Sequence, residues 1–306
     1  YVDDYIVLLR SDTAPVISLA IISMLHALGC PISWKKTTLG QLSHWLGYQV
    51  VAPSITASLT PDKQSIITAI LHKLHLKDQH TASEVRSLTG RLQWATAICL
   101  PLRPFLQPLY AWMQALLTRE EKNERHVCGR PPDVVQLLAS TMLDLLAEEP
   151  RSPMPPVAAL TLQAATDAGA NDTDATIGGW YSTHPAPAKH EVHWFYMDID
   201  QTKHPWAYDR GSPKLRIAAI ELYGTMILMK HIVSHSTDMS ITLPMVTDNM
   251  GNAHAATSWK SKIWPNSLLP LELALTRHHH RMRTELKHVH RENNTWSDQL
   301  THRTLR

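Results

Sequence analysis

The stretch TLQAATDAG, residues 161–169, carries one acidic residue, Asp167, at the end of a strand-like run. We predict that Ala158–Ala165 forms a strand, that two more strands follow directly, and that helices and strands then alternate. These later elements are predicted as strands at Ala175–Ser182, Val192–Met197, Ile241–Val246 and Thr284–His290, and as helices at Ile217–Ser234, Asn249–Trp259, Leu268–Arg281 and Thr295–Leu300. Three successive strands followed by such alternation are typical of a mixed-sheet α/β domain.

Four acidic residues lie at the ends or starts of these predicted elements. Asp167 ends the first strand and Glu221 lies in the first turns of the long helix. Asp248 ends the fourth strand and Asp298 lies in the last helix. Strand ends and helix starts are where sheet proteins assemble sites, and Mg²⁺ prefers the oxygen ligands that carboxylates supply. The sequence therefore predicts a magnesium site, while a role as a solvated cap or turn residue stays open for each acid.

The order of these acids and the motifs around them resemble the ribonuclease H family, in particular the domain that follows a retroelement reverse transcriptase. The resemblance covers residues 157–302 and rests on TDAG at Asp167, IELYG at Glu221, VTDN at Asp248 and the spacing of Asn294 and Asp298. It implies an RNase H-like mixed five-stranded sheet with helices, in which the four acids are catalytic and bind two Mg²⁺ or Mn²⁺ ions. It also implies cleavage of the RNA strand of RNA–DNA hybrids by a two-metal mechanism.

The first residues of the chain, YVDDYIVLLR at 1–10, are predicted as a strand-turn-strand hairpin around Asp3 and Asp4. A helix over 13–28, LGCPISWKKTTLG at 28–40 and HWLGYQV at 44–50 follow, and together they resemble the later part of a reverse transcriptase palm. The resemblance implies a polymerase half-site made of the metal ligands Asp3 and Asp4, Lys35 and Lys36 near the incoming nucleotide, and a primer grip with Trp45, Gly47 and Tyr48. The family's first metal-binding aspartate lies on an earlier strand. We therefore expect polymerase activity to belong to a longer parent protein.

Helix signals continue through the first half. Thr60-Pro61-Asp62 opens a helix that runs to about His75, and Thr81-Ala82-Ser83-Glu84 fits a capping box that opens a helix to about Cys99. Two more helices are predicted over 102–118 and Val134–Leu146. The helices at 61–118 resemble the thumb of DIRS-like retrotransposons, and a retroviral or pararetroviral relative is the alternative.

The predicted fold class is α+β or α/β, with four parts along the chain. These parts are a partial palm (1–56), a helical thumb-like region (57–130), a linker helix with the Pro-rich boundary RSPMPP (131–156), and an RNase H-like domain (157–306). The boundary is placed at RSPMPP because clustered prolines cannot continue a helix or join a central strand.

A basic, histidine-rich stretch, RHHHRMRTELKHVHR at 277–291, precedes the last acid. Positive charge beside a carboxylate site suits a phosphate backbone, so we predict contacts with RNA–DNA hybrid and primer–template. The predicted contacts are Arg277, Arg281, Arg283, Lys287 and Arg291, together with the amides Asn171, Asn249, Asn252 and Asn294 near the acids. The mobile histidine that many family members carry is not assigned to His288 or His290. Trp180 and Trp194 lie in predicted central strands and are expected in the core.

The composition adds few constraints. The formal net charge is +2 and the three cysteines lack CxxC spacing, which predicts free thiols in a reducing compartment. No apolar run reaches the length of a membrane span, and Val16–Leu28 is predicted as a buried helix. Without a targeting signal, we expect an intracellular location, cytoplasmic or nuclear, and no membrane contact.

Two other functions compete with a nuclease. One is a catalytically decayed retroelement fragment that binds nucleic acid without cutting it. The other is a transposase or integrase. In those enzymes the acids follow the order Asp-Asp-Glu, with the glutamate last, whereas Glu221 comes second among the four acids of this sequence.

Overall fold

The computed structural model describes residues 5–54, 56–76, 79–121, 128–147, 152–153, 163–184, 186–235, 242–259, 261, 264–280 and 282–304. Asp3 and Asp4 of the predicted catalytic hairpin lie outside these described residues. The second arm of that hairpin is corrected, because residues 5–10 form no strand. Tyr5 and Val7 are 74% and 52% exposed there, so no neighbouring sheet covers this segment within the described part of the chain.

The first half of the chain contains five α-helices and six short strands among its described residues. The helices are α1 (Ala14–Ala27), α2 (Pro61–His75), α3 (Ala82–Ala95), α4 (Leu106–Glu121) and α5 (Asp133–Ala147). The strands are β1 (Leu42–Trp45), β2 (Tyr48–Val51), β3 (Thr56–Leu59), β4 (His80–Thr81), β5 (Cys128–Gly129) and β6 (Ser152–Pro153).

The predicted helix starts at Pro61 and Ala82 are confirmed. Pro61 begins α2, and the Thr81 capping box is formed: the Glu84 carboxylate accepts from the Thr81 backbone N–H at 2.7 Å, and Thr81 Oγ1 accepts from the Glu84 N–H at 3.2 Å. The helix after α3 begins as a 3₁₀ turn over Leu100–Phe105, because prolines at 101 and 104 lack the N–H that an α-helix needs.

The helix α1 forms as predicted but is not buried. Gly29 ends it with a φ of +72°, the left-handed conformation expected at a helix C-terminus. None of its residues is buried, and Val16 and Leu19 are 73% and 66% exposed. The prediction of a buried helix is therefore wrong, because apolar composition cannot say whether another element covers the helix.

The strands β1, β2, β3 and β6 form one antiparallel sheet in that order. Leu46 and Gly47 join β1 to β2 with φ values of +50° and +82°, the combination that a two-residue type I′ hairpin needs. The edge strand β6 consists of Ser152 and Pro153 of the predicted boundary and pairs with β3, and a sheet edge is where proline is tolerated. The domain bounds stay predictions.

The second half contains the mixed five-stranded sheet that was predicted. Its elements are β7 (Gln163–Ala170), β8 (Ala175–Ser182), β9 (His193–Asp198), α6 (Ile217–His235), β10 (Thr242–Thr247), α7 (Met250–Ser258), α8 (Leu269–His279), β11 (Arg283–His288) and α9 (Thr295–Thr301). The strand order is β11-β10-β7-β8-β9. The strands β7, β8 and β9 are antiparallel neighbours, whereas β10 is parallel to both β7 and β11.

One predicted strand end is corrected. Asp167 lies inside β7, opposite Gly178 of β8, instead of at the strand's end. The pairing of β7 with β8 continues to Ala170 opposite Ala175, and the turn between the strands begins only at Asn171. The reason is that hairpin pairing, which depends on the following strand, extends the strand beyond its local sequence signal.

Two glycines allow the helices that carry acidic residues to approach the sheet. The helix α6 packs on one face, where a Cβ at Gly224 would lie 2.7 Å from Ile177 Cγ2. The helix α9 packs on the other face, where a Cβ at Gly178 would lie 2.6 Å from Leu300 Cβ. Because residues 177 and 178 point to opposite sheet faces, the two helices enclose this part of the sheet.

The predicted burial of two tryptophans is only partly right. Trp180 is partly buried, and its ring contacts Trp296 of α9 with the centroids 5.1 Å apart. Trp194 is 52% exposed and lies in β9, which is an edge strand of the sheet. Of the described helices, one, Pro213–His235, is long and apolar enough to cross a membrane by length and composition, and half of its apolar window is buried.

Candidate metal centre

Three of the four predicted acids come together beside β7. The side chains of Asp167, Glu221 and Asp248 each offer an oxygen, and these oxygens all lie within 4.8 Å of one another. The strands β7 and β10 are parallel neighbours and bring the two aspartates together, while α6 presents Glu221 from its second turn. The fold therefore collects three carboxylates from positions that are distant in the sequence.

Asp167 is the most deeply placed of these acids, with 5% of its surface exposed. Burial, and to a lesser extent the negative charges of Asp248 and Asp298, raise its pKa from 3.8 to about 6. The backbone N–H of Ala168 donates to Asp167 Oδ1 at 2.8 Å, and this hydrogen bond acts to lower the pKa of Asp167. The ionised carboxylate is therefore unfavourable here unless a cation accompanies it.

Glu221 has a similar environment with two amide partners. Its pKa is raised from 4.5 to about 7, mainly by burial and also by the charges of Asp248 and Asp167, while a side-chain hydrogen bond with Asn249 acts to lower it. The Asn252 side-chain amide donates to Glu221 Oε2 at 3.0 Å. Two residues in the turn after β10 thus hold this carboxylate.

The Asp248 side chain supplies the test of whether the site fits a metal ion. Its Oδ1 is buried and has no hydrogen-bond partner among the described residues. Buried acceptors in proteins are normally paired, and an unpaired carboxylate oxygen is especially costly. Three close carboxylates are the hard oxygen ligands that Mg²⁺ and Mn²⁺ take, so these residues fit a divalent cation.

Asp298 stands apart from this cluster. Its Oδ1 accepts a hydrogen bond from the Arg291 guanidinium at 2.9 Å, and its side chain is 33% exposed. This pairing is the main cause that raises the pKa of Arg291, and the charge of Asp298 still raises the pKa of Asp167. The fourth acid therefore lies at the rim, close enough to act on the cluster but neutralised by its own partner.

Two amides predicted to contact nucleic acid are used within the protein. Asn294 is 2% exposed, and its amide donates to the Thr166 carbonyl at 3.0 Å, which fastens the start of α9 to β7 next to Asp167. Asn249 caps α7 by accepting from the Asn252 N–H at 3.1 Å. The predicted role of Asn294 as a contact for nucleic acid is corrected, because burial leaves its side chain no surface to offer.

The predicted basic contacts have different environments. Arg277 lies over the Trp259 ring, with its guanidinium carbon 4.5 Å from the centroid, and also donates to the Met282 carbonyl. Lys287 is exposed and forms an ion pair with Glu285 at 3.4 Å. Arg281 lies outside the described residues, and Arg283 lies in β11 with its side chain outside the description. Among the described side chains of this stretch, Arg291 reaches the acids through its hydrogen bond to Asp298.

The primer-grip-like hairpin packs against the protein's own helix α3. Tyr48 is buried, its ring stacks on Trp94 with centroids 4.6 Å apart, and its hydroxyl donates to the Trp94 carbonyl at 2.9 Å. A Cβ at Gly47 would lie 2.9 Å from the same Trp94 ring. The predicted contact of Tyr48 with nucleic acid is corrected for this reason. Trp45 is partly buried, and Lys35 and Lys36 are exposed in a turn.

The pairing partners of the acids were not predicted from the sequence. Arg291 and Asn252 were expected to contact nucleic acid, and neither was expected to hold Asp298 or Glu221. The spacing of seven residues between Arg291 and Asp298 crosses a 3₁₀ turn and the start of α9, so helical periodicity could not reveal it. Glu221 and Asn252 lie in different helices and are separated by 31 residues.

No family model matches this sequence, and no curated protein matches it. Several solved structures are similar to it. The N-terminal RNase H domain of rv2228c from Mycobacterium tuberculosis is 18% identical, with a TM-score of 0.35, over 47% of this chain and 91% of that one. LC11-RNase H1 in complex with RNA/DNA hybrid is 17% identical, with a TM-score of 0.33, over 46% of this chain and 93% of that one.

A third similar structure extends over both halves of the chain. It is the foamy viral protease-reverse transcriptase in complex with RNA/DNA hybrid, which is 11% identical with a TM-score of 0.36. The similarity covers 91% of this chain and 33% of that one, so this chain spans about a third of that protein's length.

Proposed function

We propose that this chain is part of a retroelement reverse transcriptase with ribonuclease H, and that it cleaves the RNA strand of RNA–DNA hybrids with the help of divalent cations. The observation that carries the proposal is the carboxylate cluster. Oxygens of Asp167, Glu221 and Asp248 lie within 4.8 Å of one another, and a buried Asp248 oxygen has no hydrogen-bond donor within the described chain. When its members are ionised, such a cluster is destabilising unless a positive charge compensates it.

The chemistry follows from what each part of the site supplies. When bound, two Mg²⁺ ions activate a water and stabilise the leaving oxygen of a phosphodiester. Asp167, Glu221 and Asp248 would hold the ions, with Asp298 as the fourth acid at the rim. The burial of Asp167 limits solvent access, which strengthens the interaction between these carboxylates and a cation.

Arg291 is the residue best placed to attract the substrate. Its side chain is 75% exposed while its guanidinium donates to Asp298. A guanidinium has five N–H donors, so it can hold a carboxylate and still bind a phosphate oxygen of the hybrid. Lys287 is exposed on β11, the strand that precedes Arg291 in the chain, and its positive charge can add to the attraction of the phosphate backbone.

The wider assignment is part of the same proposal. The parent polymerase, its half-site of Asp3, Asp4, Lys35 and Lys36, and the grip with Trp45 and Gly47 follow from the sequence resemblance. The DIRS-like group follows from the thumb-like helices alone. Primer–template as a partner and an intracellular location belong to this proposal too.

The test is cleavage of a labelled RNA–DNA hybrid in Mg²⁺ and in Mn²⁺. Asp248→Asn should abolish cleavage, because the buried oxygen then loses the charge that binds the cation. Asp198→Asn is the matched control: Asp198 is an exposed carboxylate on β9 that pairs with Arg303, and its loss should leave cleavage unchanged. If the Asp248 variant cuts as well as the unchanged protein, the assignment is wrong.

A second outcome would favour the competing function. If the unchanged protein binds the hybrid but cuts it in neither Mg²⁺ nor Mn²⁺, it is a nucleic-acid-binding fragment that has lost catalysis. Binding measured with the same labelled hybrid separates this outcome from a protein that does not recognise hybrids.

A further inference from the structure

The first turn of α7 grips the carboxylate of Glu221. Asn252 is 2% exposed, and its side-chain amide donates to Glu221 Oε2 at 3.0 Å and to the Ala218 carbonyl at 2.9 Å. Both acceptors belong to α6. Because α7 begins two residues after Asp248, this amide connects the helix that carries one acid to the strand end that carries another.

Asn252 is itself held by the turn before it. Its backbone N–H donates to Asn249 Oδ1 at 3.1 Å, and the Asn249 N–H donates to Thr247 Oγ1 at 3.2 Å. A side chain at Gly251 would crowd this cap, since its Cβ would lie 3.2 Å from Asn249 Oδ1. The segment Thr247–Asn252 therefore fixes the amide relative to Asp248.

The hydrogen bond from Asn252 orients the Glu221 carboxylate through its Oε2 oxygen. A side-chain amide has two N–H donors, and Asn252 uses one for Ala218 and the other for Glu221 Oε2. The amide is neutral, so it orients the carboxylate without replacing the charge of a cation. Together with the side-chain hydrogen bond from Asn249, this contact holds the Glu221 carboxylate in one orientation beside the other two acids.

We propose that Asn252 is a positioning residue that orients the carboxylate of Glu221 for binding the divalent cation. The inference rests on the metal centre of the proposed function and adds a residue that the four-acid pattern does not include. Residues that orient metal ligands commonly change metal affinity by about 10- to 100-fold when they are removed. A residue that only joins α6 to α7 would change stability and leave metal affinity unaltered.

The first experiment compares Asn252→Leu with a matched control. Leucine has a similar size and removes both hydrogen bonds. The control is Gln136→Leu. Gln136 lies in α5 and is 8% exposed, and its side-chain amide donates to the Pro131 carbonyl at 2.7 Å, so this variant also removes a buried amide hydrogen bond but leaves the acids unchanged. The half-saturating Mg²⁺ concentration is measured from the rise in melting temperature with added Mg²⁺.

We expect this concentration to rise by about 10-fold or more in Asn252→Leu and to stay unchanged in Gln136→Leu. If both variants bind Mg²⁺ like the unchanged protein, the positioning role is overturned. Should Asn252→Leu fail to fold, Asn252→Ser is used instead, because its short hydroxyl cannot reach both acceptors, and the same rise in half-saturating Mg²⁺ is expected.

A double-mutant cycle with Glu221→Gln tests whether Asn252 acts through Glu221. Glu221→Gln removes the charged ligand, so the additional effect of Asn252→Leu on half-saturating Mg²⁺ should disappear in that background. An effect of equal size in both backgrounds would overturn the proposal. Hybrid cleavage is measured separately. If the unchanged protein binds Mg²⁺ but does not cleave the hybrid, the nuclease function is refuted, while the effect of Asn252 on Mg²⁺ binding can still be measured. If the unchanged protein does not respond to Mg²⁺, both the nuclease function and the positioning role of Asn252 are overturned.

Discussion

Asp167→Asn should stabilise the metal-free protein near pH 8 and at the same time remove its response to Mg²⁺. In the folded protein the pKa of Asp167 is raised to about 6 from an ordinary value of 3.8, mainly by burial. Because the folded state favours the protonated form, ionisation destabilises the fold. Asparagine is nearly isosteric and can still accept from the Ala168 N–H, but it carries no charge.

The magnitude and its pH window follow from this difference in pKa. The unfolded chain ionises near pH 4 and the folded protein near pH 6, so the penalty is absent below about pH 4 and complete above about pH 6. A factor of ten in proton affinity corresponds to about 1.4 kcal/mol, which puts the full penalty at about 3 kcal/mol. We treat this as an upper limit, since relaxation of the fold and water penetration reduce the cost of a buried charge.

The assay is urea unfolding in EDTA near pH 4 and near pH 8, followed by the same measurement with Mg²⁺. The gain in unfolding free energy of Asp167→Asn over the unchanged protein should be close to zero near pH 4 and about 1–3 kcal/mol near pH 8. Asp198→Asn, which alters an exposed carboxylate, should show no such pH-dependent gain. A gain of the same size at both pH values, or a loss near pH 8, would refute the reasoning.

Two further predictions concern the cation and the packing of the helices. The half-saturating Mg²⁺ concentration should fall as the pH rises from about 6 to about 8. The reason is that Asp167 and Glu221, with pKa values of about 6 and about 7, must lose their protons to bind the cation. A half-saturating concentration that does not change with pH in a calorimetric or melting titration would contradict this. Gly178→Ala should destabilise the fold by about 1–3 kcal/mol, because its Cβ would overlap α9. Gly90→Ala should instead stabilise the fold by about 1 kcal/mol, because Gly90 lies in the middle of α3 with open space around its Cβ position. Equal effects of the two variants in urea unfolding would contradict the close packing at Gly178.

The metal centre combines what was expected from the sequence with what was not. The identity and order of the four acids were visible in four short motifs. Three of these acids, Asp167, Glu221 and Asp248, lie together in the structure. The separate environment of Asp298 was not visible, because it depends on Arg291 across a turn. Whether an acid is buried with its neighbours or paired at the rim is decided by contacts that no single motif contains.

The sequence by itself determined the helix starts, the mixed sheet and the candidate acids. Signals such as the Thr81 capping box act within three or four residues, so the hydrogen bonds they form are written in the local sequence. Tertiary structure alone decided that α1 is uncovered, that Trp194 is exposed and that Asn294 faces inward. The amide of Asn294 meets the Thr166 carbonyl across 128 residues of chain, and burial at such a contact depends on which distant elements pack together.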